Sequence, residues 1–187
     1  MRPEIIPYEP KFLVTLPKLA EVGTAWNGID RILYDIVNRF DIPQHAALEF
    51  GVQFGYSTTA LANVFDQVRG VDTFAGDVHA GFFGDHFEET KAKLKPWPNI
   101  ELIQARYEDY CLFDDLGQYD LIHIDMDHTY QNTYESAAWA VRHSPVVILH
   151  DTEAFPDVKY AVQDIAQDYG RKFYNYEPCH GLGILVK

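Results

Sequence analysis

Acidic and imidazole side chains stand at the ends of two short apolar runs in the second half of the chain. Asp125, Asp127 and His128 end or follow one run, and His150 and Asp151 do the same for the next. If both runs are parallel strands, their carboxyl ends border one crevice, where ligands bind in open parallel sheets. The sequence therefore predicts three carboxylates and two imidazoles in a single site.

Such a site contains the groups that can activate a hydroxyl for attack on an electrophilic carbon. Asp125 and Asp151 offer the oxygen ligands that a divalent cation such as Mg²⁺ prefers, and a bound cation lowers the pKa of a coordinated hydroxyl. His128 or His150 is then the candidate general base, because an ordinary imidazole titrates near neutral pH.

Two polar residues of the first run also have structural interpretations. Asp127 can cap the helix that is predicted to begin near Tyr130. His123 alternates with Leu121 and Asp125 inside the run, and this position favours a hydrogen-bonded histidine in the core over a reacting group.

A glycine-containing turn in the first half of the chain predicts a nucleoside site. The sequence EFGVQFGYS (residues 49–57) follows an apolar run and opens a helical pattern, where a turn lets the backbone approach a ligand. Gln53 occupies the middle glycine position of the dinucleotide motif, which disfavours NAD. Asp72 follows about 20 residues after the turn, where an acid accepts ribose hydroxyls. The two features together predict an adenosyl ligand, and the alternative is a tight turn without a ligand.

The candidate site residues follow short apolar runs that alternate with helical patterns. Such runs are typical of strands that are buried on both faces of a parallel sheet. The runs cover residues 46–50, 68–72, 100–105, 121–126 and 146–150. The helical patterns between and after them cover residues 57–66, 86–94, 129–142 and 158–169. An amphipathic pattern from Ile29 to Phe40 predicts one more helix before the first strand.

The end of the chain breaks this alternation. Residues 172–177 and 182–187 are strand-like and are joined by only four residues, which permits antiparallel pairing, whereas a parallel return needs about a dozen. We therefore expect an α/β fold with a Rossmann-like, doubly wound sheet of seven strands, mostly parallel with a C-terminal antiparallel hairpin. A single domain is expected, with an N-terminal segment and helix at residues 1–44 and a cofactor-binding core at residues 45–187.

Five segments, in this order, resemble those of class I S-adenosylmethionine-dependent methyltransferases. Within that class they are similar to the small O-methyltransferase-like group, methyltransferase family 24-like, which is related to macrolide and sugar methyltransferases. The segments are ALEFGVQFGYSTTAL, GVDTFAGD, YDLIHIDMDHTY, VVILHDT followed by PDVKYAVQDI, and GLGILVK. The resemblance covers most of residues 46–187.

The resemblance implies that the glycine turn and Asp72 bind S-adenosylmethionine. It places one set of residues around the methionine part of the cofactor: Glu49, Gly51, Gly55 and Ser57. Gln53, Tyr56 and Thr73 complete the expected cofactor site, with Asp72 on the ribose. At position 150, where this chain has His, metal-dependent relatives commonly have an acid, and some relatives use no metal.

For two segments, the sequence does not decide which residues contact the ligand. Family members commonly have an acidic pair after the third strand for the adenine amino group, but this chain has Ala105-Arg106-Tyr107, so an aromatic or main-chain contact is expected instead. The long loop at residues 73–89 contains Phe82, Phe83 and His86, which are candidates to line an acceptor pocket, because long loops are often binding loops. A loop packed for structural reasons is an equal alternative.

Charge and composition exclude several functions. The 187 residues include 28 Asp and Glu against 15 Lys and Arg, a formal net charge of −13 that argues against a nucleic-acid partner. No run approaches the roughly 18 apolar residues of a membrane span, and the first residues lack the apolar core of a signal peptide. We therefore expect a cytoplasmic protein. Two cysteines, Cys111 and Cys179, are too few and too scattered for a zinc site or a disulfide framework.

The function expected from these observations is methyl transfer from S-adenosylmethionine to a hydroxyl of a small-molecule acceptor, with a divalent metal such as Mg²⁺ as an open question. Three alternatives remain: a same-fold enzyme with another activity such as hydroxylation, an NAD-dependent oxidoreductase, and a binding module without turnover. The oligomeric state is open, and a homo-oligomer is one of the alternatives.

Overall fold

Ten strands lie in the part of the chain that the structure describes, and eight of them form one sheet. The structure is a computed structural model and describes residues 2–77, 81–114 and 117–187. In chain order the strands are β1 (Ile6–Pro7), β2 (Ala46–Phe50), β3 (Gln67–Asp72), β4 (Gly76–Asp77), β5 (Phe82–Phe83), β6 (Ile100–Gln104), β7 (Leu121–Ile124), β8 (Val146–His150), β9 (Lys172–Tyr176) and β10 (Leu182–Val186).

The strand order in the sheet is β1-β9-β10-β8-β7-β2-β3-β6. Only β10 runs antiparallel to its neighbours, β8 and β9, and every other pair is parallel. This confirms the predicted mostly parallel sheet with its C-terminal hairpin. The eighth strand, β1, was not expected, because two residues in a proline-rich segment show no periodic pattern.

Six helices of the described residues connect and cover the strands. They are α1 (Leu33–Arg39), α2 (Tyr56–Ala62), α3 (Phe87–Leu94), α4 (Tyr107–Phe113), α5 (Tyr130–His143) and α6 (Pro156–Asp168). The predicted apolar stripe of α6 is buried, including Val158, Val162 and Ile165. Helix α4 packs Tyr107, Tyr110 and Cys111 against the sheet and has no buried aliphatic stripe. Its Leu112 and Phe113 are 79% and 90% exposed, which explains why the sequence pattern misses this helix.

The two faces of the sheet bury separate apolar clusters, as expected for a doubly wound fold. One cluster joins the N-terminal segment, α1 and α2 to the sheet and includes Trp26, Ile36 and Leu61. The other lies beneath α4, α5 and α6. Every residue of β7 and β8 is buried, which explains the uninterrupted apolar runs in the sequence. Among the described residues, no helix combines the length and apolar character of a membrane span.

Candidate functional site

A cavity of about 760 Å³ opens at the carboxyl ends of β2, β3, β7 and β8. Its wall contains the glycine turn in the middle, Asp72 and the residues after β6 at one end, and the predicted acid and imidazole residues at the other. This is the edge at which open parallel sheets bind ligands. The cavity therefore brings the two predicted sites together.

The glycine turn approaches the end of β7 so closely that one position requires glycine. Gly51 has φ +91°, and a Cβ atom there would lie 1.7 Å from the main-chain oxygen of Asp125. The amide of Asp125 donates to the main-chain oxygen of Phe50 at 2.8 Å, which joins the turn to β7. Gly51 thus places the turn directly beside the acidic cluster.

The other residues of the turn divide between the cavity and its support. Gln53, Tyr56 and Ser57 line the cavity, as does Gly51. Gly55 precedes α2 with φ +86°, and a Cβ there would lie 2.5 Å from a methyl carbon of Leu94, so this glycine permits packing against α3. Gly55 is not part of the cavity wall, in contrast to its predicted place around the methionine part.

Glu49 also lies behind the cavity wall. Its fully buried carboxylate accepts a hydrogen bond from the hydroxyl of Thr58 and lies 2.9 Å from Nδ1 of His123. His123 is itself fully buried, so the prediction of a hydrogen-bonded core histidine is confirmed. The side chain of Glu49 supports the base of the turn and does not line the cavity, so its predicted contact with the methionine part stays a prediction.

Asp72 organises the turn through main-chain hydrogen bonds. Its Oδ2 accepts from the amides of Val52 and Gln53, both at 2.8 Å, and its Oδ1 accepts from the amide of Phe74 at 2.7 Å. Asp72, predicted at the ribose, and Thr73, predicted in the cofactor site, both line the cavity. Oδ1 of Asp72 also lies 3.5 Å from the hydroxyl of Thr73, a contact long enough for a ligand hydroxyl to take its place.

The expected adenine end of the cavity is lined by residues 105–108. Arg106 and Glu108 form an ion pair at 2.7 Å, and this hydrogen bond lowers the pKa of Glu108. Tyr107 lies between them in sequence, and its hydroxyl is buried without a hydrogen-bond partner among the described residues. The ring of Tyr107 and the paired carboxylate of Glu108 thus lie after β6, where family members commonly have an acidic pair.

Four of the predicted reacting residues form one cluster at the opposite end. His128 Nε2 lies 2.7 Å from Asp151 Oδ2 and 3.9 Å from Asp125 Oδ1. His150 Nδ1 lies 3.2 Å from Asp125 Oδ2 and 3.5 Å from Asp151 Oδ2. The strand-end argument therefore places these four side chains together correctly.

The surroundings of His150 favour its protonated form. Burial disfavours its charged form, but the hydrogen bond and charge of Asp125, together with the charge of Asp151, raise its pKa to about 9. Its other nitrogen, Nε2, lies 2.9 Å from the main-chain oxygen of Cys179, so both ring nitrogens face acceptors. A doubly protonated ring has no lone pair for a proton or a metal. This geometry does not suit the general-base role considered for His150.

The other members of the cluster respond to the same charges. Burial opposes ionisation of Asp125, but the hydrogen bond and charge of His150 lower the pKa of this carboxyl. Burial also opposes protonation of His128, but the hydrogen bond and charge of Asp151, together with the charge of Asp125, outweigh it and raise the pKa of the ring. Asp151 has φ +65°, a strained conformation for a residue other than glycine, and such strain is concentrated at functional sites.

Asp127 lines the cavity but does not cap α5. The N-cap residue is Thr129, whose hydroxyl accepts from the amide of Asn132 at 3.4 Å. Asp127 instead accepts from the side-chain amide of Asn132 at 2.6 Å. The interpretation of Asp127 as the cap of α5 is therefore wrong, because the cap is Thr129, two residues further along the chain.

Asp125, His128 and Asp151 could hold a metal ion, because each offers one ligand atom and these atoms lie within 4.8 Å of one another. Two carboxylates and one imidazole fit a divalent cation, and an imidazole suits Mn²⁺ or Fe²⁺ better than Mg²⁺. The predicted pair of Asp125 and Asp151 thus gains His128 as a candidate third donor.

Several wall residues were not predicted from the sequence. Residues 22–26 of the N-terminal segment cover the reacting end, where His180 and Phe155 also line the cavity. These residues lie outside any chemical motif, and only the fold brings them to the site. From the loop at residues 73–89, Thr73, Gly76 and His86 line the cavity. Phe83 is 75% exposed and does not, and the side chain of Phe82 lies outside the described part of the chain.

Comparisons with known proteins agree with this arrangement. A family model described as a methyltransferase domain matches residues 48–152. A Sinorhizobium fredii protein described as uncharacterized protein y4gI is 29% identical over 154 residues, which cover 74% of this chain but only 16% of that protein.

Solved structures of methyltransferases share the fold. An O-methyltransferase from Bacillus cereus in complex with SAH has 18% identity and a TM-score of 0.61, with 92% of this chain and 84% of that chain covered. The O-methyltransferase NovP has 13% identity and a TM-score of 0.69, with 86% and 78% covered. TomG from Streptomyces achromogenes, an O-methyltransferase involved in tomaymycin synthesis and solved with SAM, has 14% identity and a TM-score of 0.58, with 81% and 76% covered.

The family model covers more than half of the chain and includes both the glycine turn and the acidic cluster. The resemblance to class I S-adenosylmethionine-dependent methyltransferases is therefore confirmed, and this chain belongs to the methyltransferase-domain family.

Proposed function

We propose that this chain transfers the methyl group of S-adenosylmethionine to a hydroxyl oxygen of a small molecule. The observation that carries the proposal is the single cavity that joins the glycine turn and Asp72 to the cluster of Asp125, His128 and Asp151. Methyl transfer needs the donor and the activated acceptor in contact within one site, and this cavity has room for both.

The donor lies along the turn, with its methionine part near Gly51 and Ser57 and its ribose hydroxyls on Oδ1 of Asp72, in place of the long contact from Thr73. Its adenine lies beside Tyr107, whose ring replaces the acidic pair of other family members. In support, all four residues line the cavity, and they follow β2, β3 and β6, which are neighbours in this order in the sheet.

The residues of this chain orient the acceptor and take up its proton. The acceptor oxygen attacks the methyl carbon as the carbon–sulfur bond breaks, its electron pair stays on sulfur, and the hydroxyl proton passes to His128. Asp151, 2.7 Å from the His128 ring, orients the ring and stabilises the imidazolium that forms. The charged His150 holds Asp125 in place from behind.

A divalent cation is compatible with this assignment. Asp125 and Asp151 would hold it, and when bound it would stabilise negative charge on the acceptor oxygen. His128 cannot be both a third metal ligand and the base through the same ring nitrogen, so the metal dependence of the reaction is part of the test.

The test is methyl transfer from labelled S-adenosylmethionine to a panel of hydroxyl compounds, with Mg²⁺, Mn²⁺ or a chelator. The proposal predicts products with one added methyl on oxygen, identified by mass spectrometry and NMR. Methyl groups found only on nitrogen would contradict the O-methylation part. Oxidised products would favour the same-fold enzyme with another activity, and cofactor binding without any turnover would favour a binding module.

A further inference from the structure

We propose that residues 22–26, which we call the roof segment, form the acceptor-binding wall of the cavity and select an uncharged hydroxyl compound. Its phosphorylated, carboxylated or coenzyme A-linked counterparts would be rejected. This inference rests on the proposed function and names the substrate class of the same site.

The roof segment lies over the reacting end of the cavity. The Trp26 ring is 4.9 Å from the ring of His123 and 6.4 Å from the ring of His150, measured between centroids. Next to it, the main-chain oxygen of Asn27 accepts from the thiol of Cys179 at 3.2 Å. Residues 22–26 line the same cavity as Asp125, and His150, the neighbour of the Trp26 ring, bonds to Asp125. We therefore place the acceptor between this segment and Asp125, whereas the adenine end lies on the other side of the glycine turn.

Anchors on both sides hold the segment in a fixed position. Before it, the amide of Ala20 donates to the hydroxyl of Thr59 on α2 at 3.0 Å. After it, Asp30 accepts from the amide of Gly28 at 2.9 Å and from the hydroxyl of Tyr56 at 3.3 Å. Trp26 itself is 1% exposed and belongs to the core. A wall fixed at both ends can discriminate between acceptors by shape.

The charges of the cavity decide which acceptors fit. Its described wall includes five carboxylates but no lysine, and its single arginine, Arg106, is paired with Glu108 at the adenine end. At the reacting end, the imidazoles of His128 and His150 already face Asp151 and Asp125. The roof segment, Val-Gly-Thr-Ala-Trp, is uncharged. Of the other two imidazoles in the wall, His86 faces the main-chain oxygens of Gly84 and Gln53, and the His180 ring packs edge-on against the ring of His150. A phosphate or carboxylate on the acceptor would therefore meet several carboxylates with no lysine or unpaired arginine to offset them, which disfavours binding.

The test measures acceptor binding directly, by saturation-transfer NMR and calorimetry on the protein saturated with S-adenosylhomocysteine. Probes are matched pairs such as methyl 4-hydroxybenzoate with 4-hydroxybenzoate, and methyl glucoside with glucose 6-phosphate. We expect at least one uncharged probe to bind, and to bind more than about tenfold tighter than its anionic partner. Equal or tighter binding of the anionic partners, or no binding by any uncharged probe, would overturn the assignment of the substrate class.

Variants of the roof segment test the location of the wall. Gly23 lines the cavity, and a Cβ atom there would meet nothing within 4 Å, so a side chain can leave the backbone of this residue, and Gly23→Trp adds bulk to the wall. We expect this variant, and Ala25→Trp as a second one, to weaken binding of the uncharged probe more than about tenfold. The control is Glu21→Trp, at an exposed position outside the wall.

Affinity for S-adenosylhomocysteine separates this inference from the proposed function. It should stay unchanged in all three variants, which also shows that they fold. Probe binding that survives in both Gly23→Trp and Ala25→Trp would overturn the role of the roof segment and leave the cofactor assignment intact. Failure of the wild-type protein to bind S-adenosylhomocysteine would instead refute the proposed function.

Discussion

Both ring nitrogens of His150 face acceptor atoms, and this fixes the charges at the reacting end of the cavity. The ring of His150 lowers the pKa of Asp125 through its hydrogen bond and charge. In the proposed function, the role of general base is therefore assigned to His128. Residue type alone could not distinguish the two histidines, because the distinction comes from the main-chain oxygen of Cys179, which lies 29 residues further along the chain.

Asp72 provides the first prediction at the residue scale. Asp72→Ala removes both the ribose acceptor and the bonds to the turn, so affinity for S-adenosylhomocysteine should fall by about 2 kcal/mol, measured by calorimetry. The matched control is Asp109→Ala, an exposed acid outside the cavity wall. Comparison of adenosine with 2′-deoxyadenosine isolates the ribose contact: the wild type should prefer adenosine, and the variant should lose this preference. Unchanged affinity in Asp72→Ala would refute the assignment.

Asp125 provides the second prediction. Asp125→Asn keeps the shape of the side chain but removes its charge, so turnover should fall by at least about 100-fold once an acceptor is known. Affinity for S-adenosylhomocysteine should stay close to wild type. Asp127→Asn is the control, because Asp127 lies on the same loop but bonds to Asn132. Full activity in Asp125→Asn would show that this residue is structural.

At the scale of elements, the site depends on the contact between the glycine turn and the end of β7. Gly51→Ala would place a methyl group 1.7 Å from the Asp125 oxygen and would strain a backbone at φ +91°. We expect a loss of about 3 kcal/mol in the free energy of unfolding, measured by urea denaturation. Gly23→Ala is the control, since its new Cβ meets nothing within 4 Å, and it should change stability by less than about 0.5 kcal/mol. Equal effects of the two substitutions would contradict the close contact.

Helices and strands with a regular pattern of buried apolar residues are predictable from this sequence. Elements without a buried aliphatic stripe are not. The runs that became β7 and β8 are buried on both faces, so packing leaves a clear apolar signature. Helix α4 exposes Leu112 and Phe113, and β1 forms only because β9 offers an edge for pairing. Such elements depend on contacts that are distant in sequence.

The candidate site shows the same division. Strand ends meet at one edge of a parallel sheet, so the proximity of Asp125 to Asp151 follows from the order of the strands. The direction of the Glu49 side chain does not follow from strand order, and it bonds to Thr58 and His123 behind the wall. Gly55 also lies outside the wall, because Leu94 packs against its backbone. The roof segment belongs to the site only through long-range anchors such as the bond from Ala20 to Thr59.

At the scale of the whole molecule, the net charge of −13 opposes compaction through self-repulsion. Salt screens this repulsion, with a Debye length of about 10 Å at 0.1 M. We therefore expect Tm to rise by a few degrees as NaCl increases from about 20 to about 300 mM, measured by circular dichroism. Choline chloride should act equally, because the effect is general screening. A Tm that falls with both salts would contradict this interpretation.

We propose that the cavity binds an adenosyl cofactor of methyl transfer and not a dinucleotide. A thermal-shift comparison of S-adenosylmethionine, S-adenosylhomocysteine and NAD on the wild-type protein distinguishes the two. At about 100 times Kd a ligand adds about 2.7 kcal/mol, which raises Tm by roughly 5–10 °C for a chain of this size. We expect this rise with the two adenosyl ligands and none with NAD. A rise with NAD alone, or no rise with any of the three, would refute the adenosyl site.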